Sequence, residues 1–224
     1  SESNKENSIN ITDSSEIYLL NNSISMIQEA GIYISNSTYT LIDNNLITPG
    51  DNNSIRGIKI NSSEYITVSN NELEDLSLNL SFVDNSIFQN NYLYGHRQPI
   101  TMHYSNSNTF HQNVVEVELH PAVPCKLRIT EGIDNRLFAN EFAFNPFEGI
   151  CVNSATPIEW NSEGPLLYTY QGEAYSGYVG NYYLIENAQD NNGDGIAEQP
   201  VIISGVLIDE NPLLQTLTEY EFFE

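Results

Sequence analysis

"YITVSNNELEDLSLNLSFVDNSIFQNNYLY", residues 65–94, states one phrase twice. "YITVSNNELE" (65–74) and "SIFQNNYLY" (86–94) each run from an alternating apolar stretch into paired asparagines and out into a second alternating stretch. Working outward, the phrase recurs as "IYLLNNSI" (17–24), "YTLIDNNLI" (39–47), "TFHQNVVEV" (109–117) and "LFANEFAF" (137–144). Its reference residues are Asn22, Asn45, Asn71, Asn91, Asn113 and Asn140, spaced 23, 26, 20, 22 and 27 apart. Between them lie "GIYISNS" (31–37), "GIKINSS" (57–63), "LSLNLSF" (76–82), "PITMHYS" (99–105), "CKLRIT" (125–130) and "GICVNS" (149–154). Apolar and polar residues alternate throughout, a period of two that belongs to strands. No amphipathic helix of useful length stands out.

A repeat of this length, holding short strands and Asn or Gly turns, describes one coil of a solenoid. The fold class expected is all-β: a parallel β-helix of six to eight coils. Stacked at ~4.8 Å, six coils make a rod roughly 30 Å long. Ile32, Ile34, Ile58, Ile60, Ile100, Met102, Leu127, Ile129, Ile150 and Val152 are expected to face inward as a continuous apolar column. The six reference asparagines are expected to form an internal ladder, each bonding turn backbone and its neighbour on the next coil. Coil length varies, so insertions near Pro49–Asn53, His120–Pro124 and Asn145–Glu148 should bulge as loops. Residues 1–156 read as coils and 157–224 as a closing segment continuous with them.

The chain has 224 residues, 30 of them Asn, with 7 Lys plus Arg against 30 Asp plus Glu and a formal charge of -23. Charged residues are only 17 %, below the ~25 % of an average domain, so the acidity reflects missing bases. Such a charge argues against nucleic acid and anionic membrane as partners and attracts cations. Halophilic adaptation is a competing reading of the same acidity. No apolar run approaches a membrane span. "SESNKENSIN" at the start reads as a processed terminus or an excised fragment rather than a signal peptide. Alternation turns Cys125 inward and Cys151 outward, so no disulfide is expected between them.

The repeats resemble the right-handed parallel β-helix family with pectate-lyase-like repeats. The segment 157–214 is similar to the closing segment of NosD-type β-helix proteins, common among archaeal cell-surface proteins. The matching elements are Trp160-Asn161-Ser162, Tyr168-Thr169-Tyr170, Gly172, Tyr175, Gly180-Asn181-Tyr182-Tyr183, the acidic loop, Pro200, and Asp209 with Pro212-Leu213. The chain departs from that pattern at Tyr183, where Trp is usual, and at Leu184-Ile185, where Ser-Asp is usual. The resemblance implies an extracellular or cell-surface location.

Five groups of residues invite chemistry. "DNNGDGIAE" (190–198) places Asp190, Asn192 and Asp194 at alternate positions, then Gly195, the Ile196 carbonyl and Glu198, the first part of an EF-hand-like calcium loop. Val201 stands where such a loop ends in Glu, so a stand-alone structural calcium site is expected, completed by Asp209 or water. His96, His103, His111, His120, Met102, Cys125 and Cys151 admit a copper reading that the resemblance suggests, but a surface role for the histidines is preferred. An enzyme acting on polysaccharide would draw on Arg97, His103, His111, Glu116 and Glu118, the two glutamates two residues apart on one strand face. The tyrosines of 168–183 are expected to cover the last coil or stack on sugar rings. Six sequons occur (Asn10, Asn21, Asn36, Asn52, Asn61, Asn79), with Asn36, Asn52 and Asn61 expected in turns and open to glycosylation. The reading preferred is a non-catalytic, calcium-stabilised surface module with affinity for polysaccharide, assembling end to end into an oligomer or filament. A polysaccharide-active enzyme is the first alternative and a copper-handling periplasmic factor the second.

Overall fold

The computed structural model describes residues 7–26, 29–49, 56–95, 99–117, 125–153, 157–185, 188–204 and 207–223. Over these residues the chain winds as a parallel β-solenoid with three strand columns of seven strands each, the seventh coil interrupted by an inserted sheet between its second and third strands. The first column stacks Ile9–Thr12, Ala30–Ser35, the first half of Arg56–Ser69, Ser77–Asp84, Ile100–His103, Leu127–Thr130 and Ile150–Val152. The second runs from Tyr18–Leu20 to Ile158–Glu159, and the third from Ser23–Met26 to Tyr182–Tyr183.

Register aligns like with like. Ile32, Ile58, Leu78, Ile100, Leu127 and Ile150 stand one above another, and beside them Ile34, Ile60, Leu80, Met102, Ile129 and Val152. All but the half-buried Val152 are buried. The second column adds Ile42, Val68, Phe88, Phe110 and Leu137, with Phe88 stacked on Phe110 at 4.4 Å. The third adds Ile47, Leu73, Leu93, Val115 and Phe142.

The corners obey a stricter rule than the strands. In each of six coils three non-glycine residues take a left-handed φ at fixed offsets: Asp13, Glu16 and Asn21; Asn36, Tyr39 and Asn44; Ser62, Tyr65 and Asn70; Phe82, Asn85 and Asn90; Tyr104, Ser107 and Gln112; Glu131, Asp134 and Ala139. Within a coil these are 3 and 5 residues apart, whereas from one coil's last to the next coil's first the gap is 15, 18, 12, 14 or 19. All variation in coil length therefore falls on one edge, between the third column and the next first column. Of the expected insertions, 50–55 and 118–124 lie outside the described residues. Asn145–Glu148 is on that edge, where Asn145 caps the short helix Pro146–Gly149 by accepting from the Phe147 N–H.

The asparagine column runs inside the third of these corners. The backbone N–H and Nδ2 of each asparagine donate to Oδ1 of the next: Asn45 to Asn71 at 3.0 and 2.8 Å, Asn71 to Asn91 at 3.0 and 3.0 Å, Asn91 to Asn113 at 3.0 and 2.9 Å. Asn22 donates likewise to Asn45, and Asn113 to Asn140. Nδ2 also reaches back to a strand carbonyl of the preceding coil, as from Asn91 to Val68 at 2.9 Å. One side chain thus ties three coils.

Of the tyrosines expected to cover the last coil, Tyr183 joins the main core and others lie on a flank. Val201, Ile203 and Leu207, from the hairpin of Val201–Ser204 and Leu207–Asp209, join the main core together with Trp160 and Tyr183. Tyr168, Tyr170 and Tyr220 instead form a second cluster on Ala139, Val179 and Leu213, at the flank of the sixth coil. They belong to the antiparallel sheet Leu166–Tyr170, Glu173–Gly177 and Tyr220–Phe223. Large side chains with hydroxyls suit a flank, where the Tyr168 and Tyr220 hydroxyls donate to backbone carbonyls and that of Tyr170 accepts from Gln171 Nε2, better than a dry core end.

Asn91→Ala would leave the Asn71 N–H and the Val68 carbonyl without side-chain partners in the core. We expect a loss of about 2–4 kcal/mol in denaturant unfolding, against less than about 1 kcal/mol for Asn22→Ala in the half-exposed first coil.

Candidate functional site

The acidic loop is closed by its own amides. Asp190 accepts from Gly193 N at 2.7 Å and Gly195 N at 2.9 Å. Asn192 accepts from Asp194 N, and Asp194 from Ile196 N at 2.8 Å and from Asn192 Nδ2. Glu198 turns both oxygens to Asn191, at 2.6 Å to N and 3.0 Å to Nδ2. The loop rests on the tyrosine cluster: Tyr168 donates to the Asp194 carbonyl at 3.0 Å and Tyr220 to the Gly195 carbonyl. Gly195 takes φ +83°, and a Cβ there would lie 2.7 Å from the Tyr170 ring. Among the described residues no three His, Cys, Asp or Glu side chains converge to hold a metal.

Asp209, expected as a completing ligand, bonds Asn181, Tyr183 and Asn211 and ends the asparagine column. Asn140 donates to Asn181, 41 residues on, and Asn181 donates to Asp209 Oδ2 from its backbone N at 2.7 Å and from Nδ2 at 3.3 Å. Tyr183 OH donates to the same oxygen at 3.1 Å, and Asn211 N to Oδ1 at 3.1 Å. Every asparagine gives to its successor, so the last member of the column needs only to accept. A carboxylate does that with four donors converging on it. The approach is close: a Cβ on Gly180 would fall 1.9 Å from Asp209 Oδ1. Burial raises the Asp209 carboxyl to about 7, against the lowering effect of its donors.

Residues 7–162 match the family described as a right-handed β-helix region. The chain belongs to the right-handed β-helix family. No curated protein and no solved structure matches it at significance.

On this β-helix the described residues considered for catalysis, His103, His111 and Glu116, stand on three different columns. Arg97 and Glu118 lie outside the described residues, as do His96 and His120. His103 faces outward on the first column, with Nδ1 2.8 Å from Thr130 Oγ1 and its ring edge-on to Tyr104. Met102 is buried on the opposite side of that strand, and His111 stacks on Phe138 in the second column, so among the described residues His103, Met102 and His111 do not meet. Glu116 stands on the third column and accepts from Tyr92 OH at 2.5 Å. That hydrogen bond first, and burial second, push the Tyr92 hydroxyl up to about 12. Glu141, diagonal to Glu116, is raised by burial, opposed by a hydrogen bond from Leu217 N at 2.9 Å. This ties the C-terminal segment across the coils. Between them a cleft of about 380 Å3 is lined by Tyr92, Gln112, Val114, Tyr220 and Phe222, among others.

The β-helix corrects the sequence reading at several points. Cys125 and Cys151 form a disulfide, Cα–Cα 5.5 Å, joining neighbouring coils. Cys125 precedes Leu127–Thr130 and lies on the edge between the third column and the next first column, where strand alternation no longer fixes which way a side chain points. The column also has a member the period missed, Asn181, because the flank sheet is inserted before it; "GNYYL" (180–184) echoes "NNYLY" (90–94). A second ladder, Ser86 to Asn108 to Asn135, occupies another corner and was hidden by mixed residue types. Of the sequons, Asn36 is exposed at a left-handed corner, Asn61 is half-buried within Arg56–Ser69 rather than in a turn, and Asn52 lies outside the described residues.

Because the folded β-helix holds the Asp209 proton more tightly than an unfolded chain with the ordinary 3.8, stability from this group is complete below pH 3.8 and lost as pH rises to about 7. Relative to Asp209→Asn, which does not titrate, the native protein should lose about 4 kcal/mol between about pH 4 and pH 8 in urea unfolding.

Proposed function

We propose that this β-helix protein is a non-catalytic, rigid extracellular or cell-surface module, carbohydrate-related as its family generally is. The observation that carries the proposal is the Cys125–Cys151 disulfide, since such bonds persist in oxidising compartments and are rare in the cytosol. The acidic surface, at -23 overall, suits a solvated envelope setting, and no described helix is long and apolar enough to cross a membrane. The resemblance of 157–214 to NosD-type closing segments supports a surface protein of archaeal kind.

Calcium at the acidic loop belongs to the same proposal. Asp190, Asn192, Asp194, the Ile196 carbonyl and Glu198 are all oxygen donors of the sort calcium takes. Supporting it, Gly193 and Gly195 allow the tight bend at φ +77° and +83°.

Thiol titration of the denatured protein, taken from its native source, should find no free thiol. Reduction, or the pair Cys125→Ser and Cys151→Ser, should cost about 3–4 kcal/mol for a loop of 26 residues. Two free thiols would remove the argument for an oxidising compartment. For the loop, calcium should raise the melting temperature by several degrees over EGTA. Asp194→Asn keeps an acceptor for the Ile196 N–H, so it should shrink that rise while leaving the EGTA value unchanged. Equal melts in calcium and EGTA would end the calcium proposal.

A further inference from the structure

Four large aromatic side chains stand at the corners between the first and second columns, outside the core. Tyr39 is 60 % exposed, Tyr65 44 %, Phe82 52 % and Tyr104 45 %. All four take left-handed φ, between 48° and 56°. The same corner positions in other coils carry Asp13, Asn36, Ser62 and Glu131, or Glu16, Asn85, Ser107 and Asp134. Small and acidic side chains adopt this backbone with little strain, whereas a bulky ring there is an outlier. Nothing in the core asks for the rings, and strain retained at an exposed position points toward a use.

The rings are stacked in pairs along the axis: Tyr39 on Tyr65 at 5.1 Å and Phe82 on Tyr104 at 5.2 Å, each pair within 6° of parallel. Tyr104 covers one face of Phe82. The opposite face is therefore turned toward the preceding coil, where Ser62 and, beyond it, Asn36 occupy the same corner. This step from a ring to small side chains forms a notch of about 330 Å3, lined by Asn36, Thr38, Ser62, Glu64, Phe82 and Asp84 among others. Its size falls within the range of small-ligand sites. Its charged groups are Glu64 and Asp84, and no Lys or Arg lines it. Asp84 spends Oδ1 on Asn106 N and Nδ2, at 2.8 and 2.9 Å, which fixes its carboxylate. An apolar platform beside fixed acceptors suits a ring with one apolar face and several hydroxyl donors. Two carboxylates in a chain of charge -23 repel anionic sugars.

We propose that this notch binds one hexose unit of an uncharged polysaccharide, with the sugar's apolar face on Phe82 and its hydroxyls donating to Glu64 and Asp84. The proposal deepens the surface-module reading by naming a ligand class, and it rests on the carbohydrate side of that reading alone. The test is saturation-transfer NMR with titration calorimetry on the full chain, using cellohexaose, mannohexaose and polygalacturonate fragments. At least one uncharged hexaose should bind saturably, with polygalacturonate weaker. Phe82→Ala should weaken binding roughly tenfold, about one decade of Kd, with a melting temperature no lower than that of the native protein. Phe82→Trp, which keeps a platform, should retain binding and serves also if the alanine variant does not fold. Undiminished binding by a folded Phe82→Ala, or loss of binding by a folded Phe82→Trp, would overturn the notch while leaving carbohydrate affinity in place. Preference for polygalacturonate would overturn the uncharged class. Failure of both uncharged hexaoses to bind would overturn the proposal, whereas the surface-module reading stands or falls on the thiol titration.

Discussion

A column of buried amide hydrogen bonds is the constraint on which this molecule depends. A coil that closes in two dozen residues must turn sharply inside the protein, and each turn brings backbone N–H and carbonyl groups away from water, where leaving them unpaired is costly. Asparagine has both an acceptor and two donors on a short stem, so it serves the N–H of its neighbour below and the carbonyl of the coil before. Repeated from Asn22 to Asn181, this gives the column a direction, with each member donating toward the C-terminus. A directed column needs an end that only accepts. Asp209 supplies it, and the cost is a carboxylate held in a site that favours its neutral form.

The same constraint decides where the chain is free to vary. Corner offsets are identical in six coils, while the third-to-first connection ranges from 12 to 19 residues. Fixed corners make a ruled surface on which side chains of successive coils line up, so a residue placed at a corner acquires neighbours at strand spacing. Rings then stack on rings, as Tyr39 on Tyr65, and carboxylates meet amides, as Asp84 and Asn106. Three of the described cationic side chains share one column. Arg56, Lys59 and Arg128 sit on the first column, with Arg56 and Lys59 paired to Glu29 at 3.1 and 3.6 Å.

The C-terminal third solves a different problem, covering a solenoid whose last coil would otherwise expose strand edges. Aliphatic residues of one hairpin meet the core, while tyrosines clamp the acidic loop and the C-terminal strand to the flank. The division follows from chemistry, because a tyrosine hydroxyl needs a partner and the loop carbonyls of Asp194 and Gly195 provide it.

Periodicity by itself determined the solenoid, its coil length, the inward face of each strand and the reference asparagines. These are local and repetitive properties, so one coil predicts the next. Where the repeat broke, the sequence fell silent. Asn181 is 41 residues beyond Asn140, and the serine–asparagine ladder changes residue type between coils. Alternation also misjudged Cys125, because it describes strands and Cys125 precedes its strand. The acidic loop was plain as a motif, yet while its side-chain oxygens are turned by its own amides, its Asp194 and Gly195 carbonyls are held by tyrosines distant in sequence. The exposed ring pairs likewise arise from residues 26 and 22 apart, brought into stack by the coil and by nothing in their own neighbourhoods. Local pattern thus set the coil, and contacts between coils decided what each corner presents.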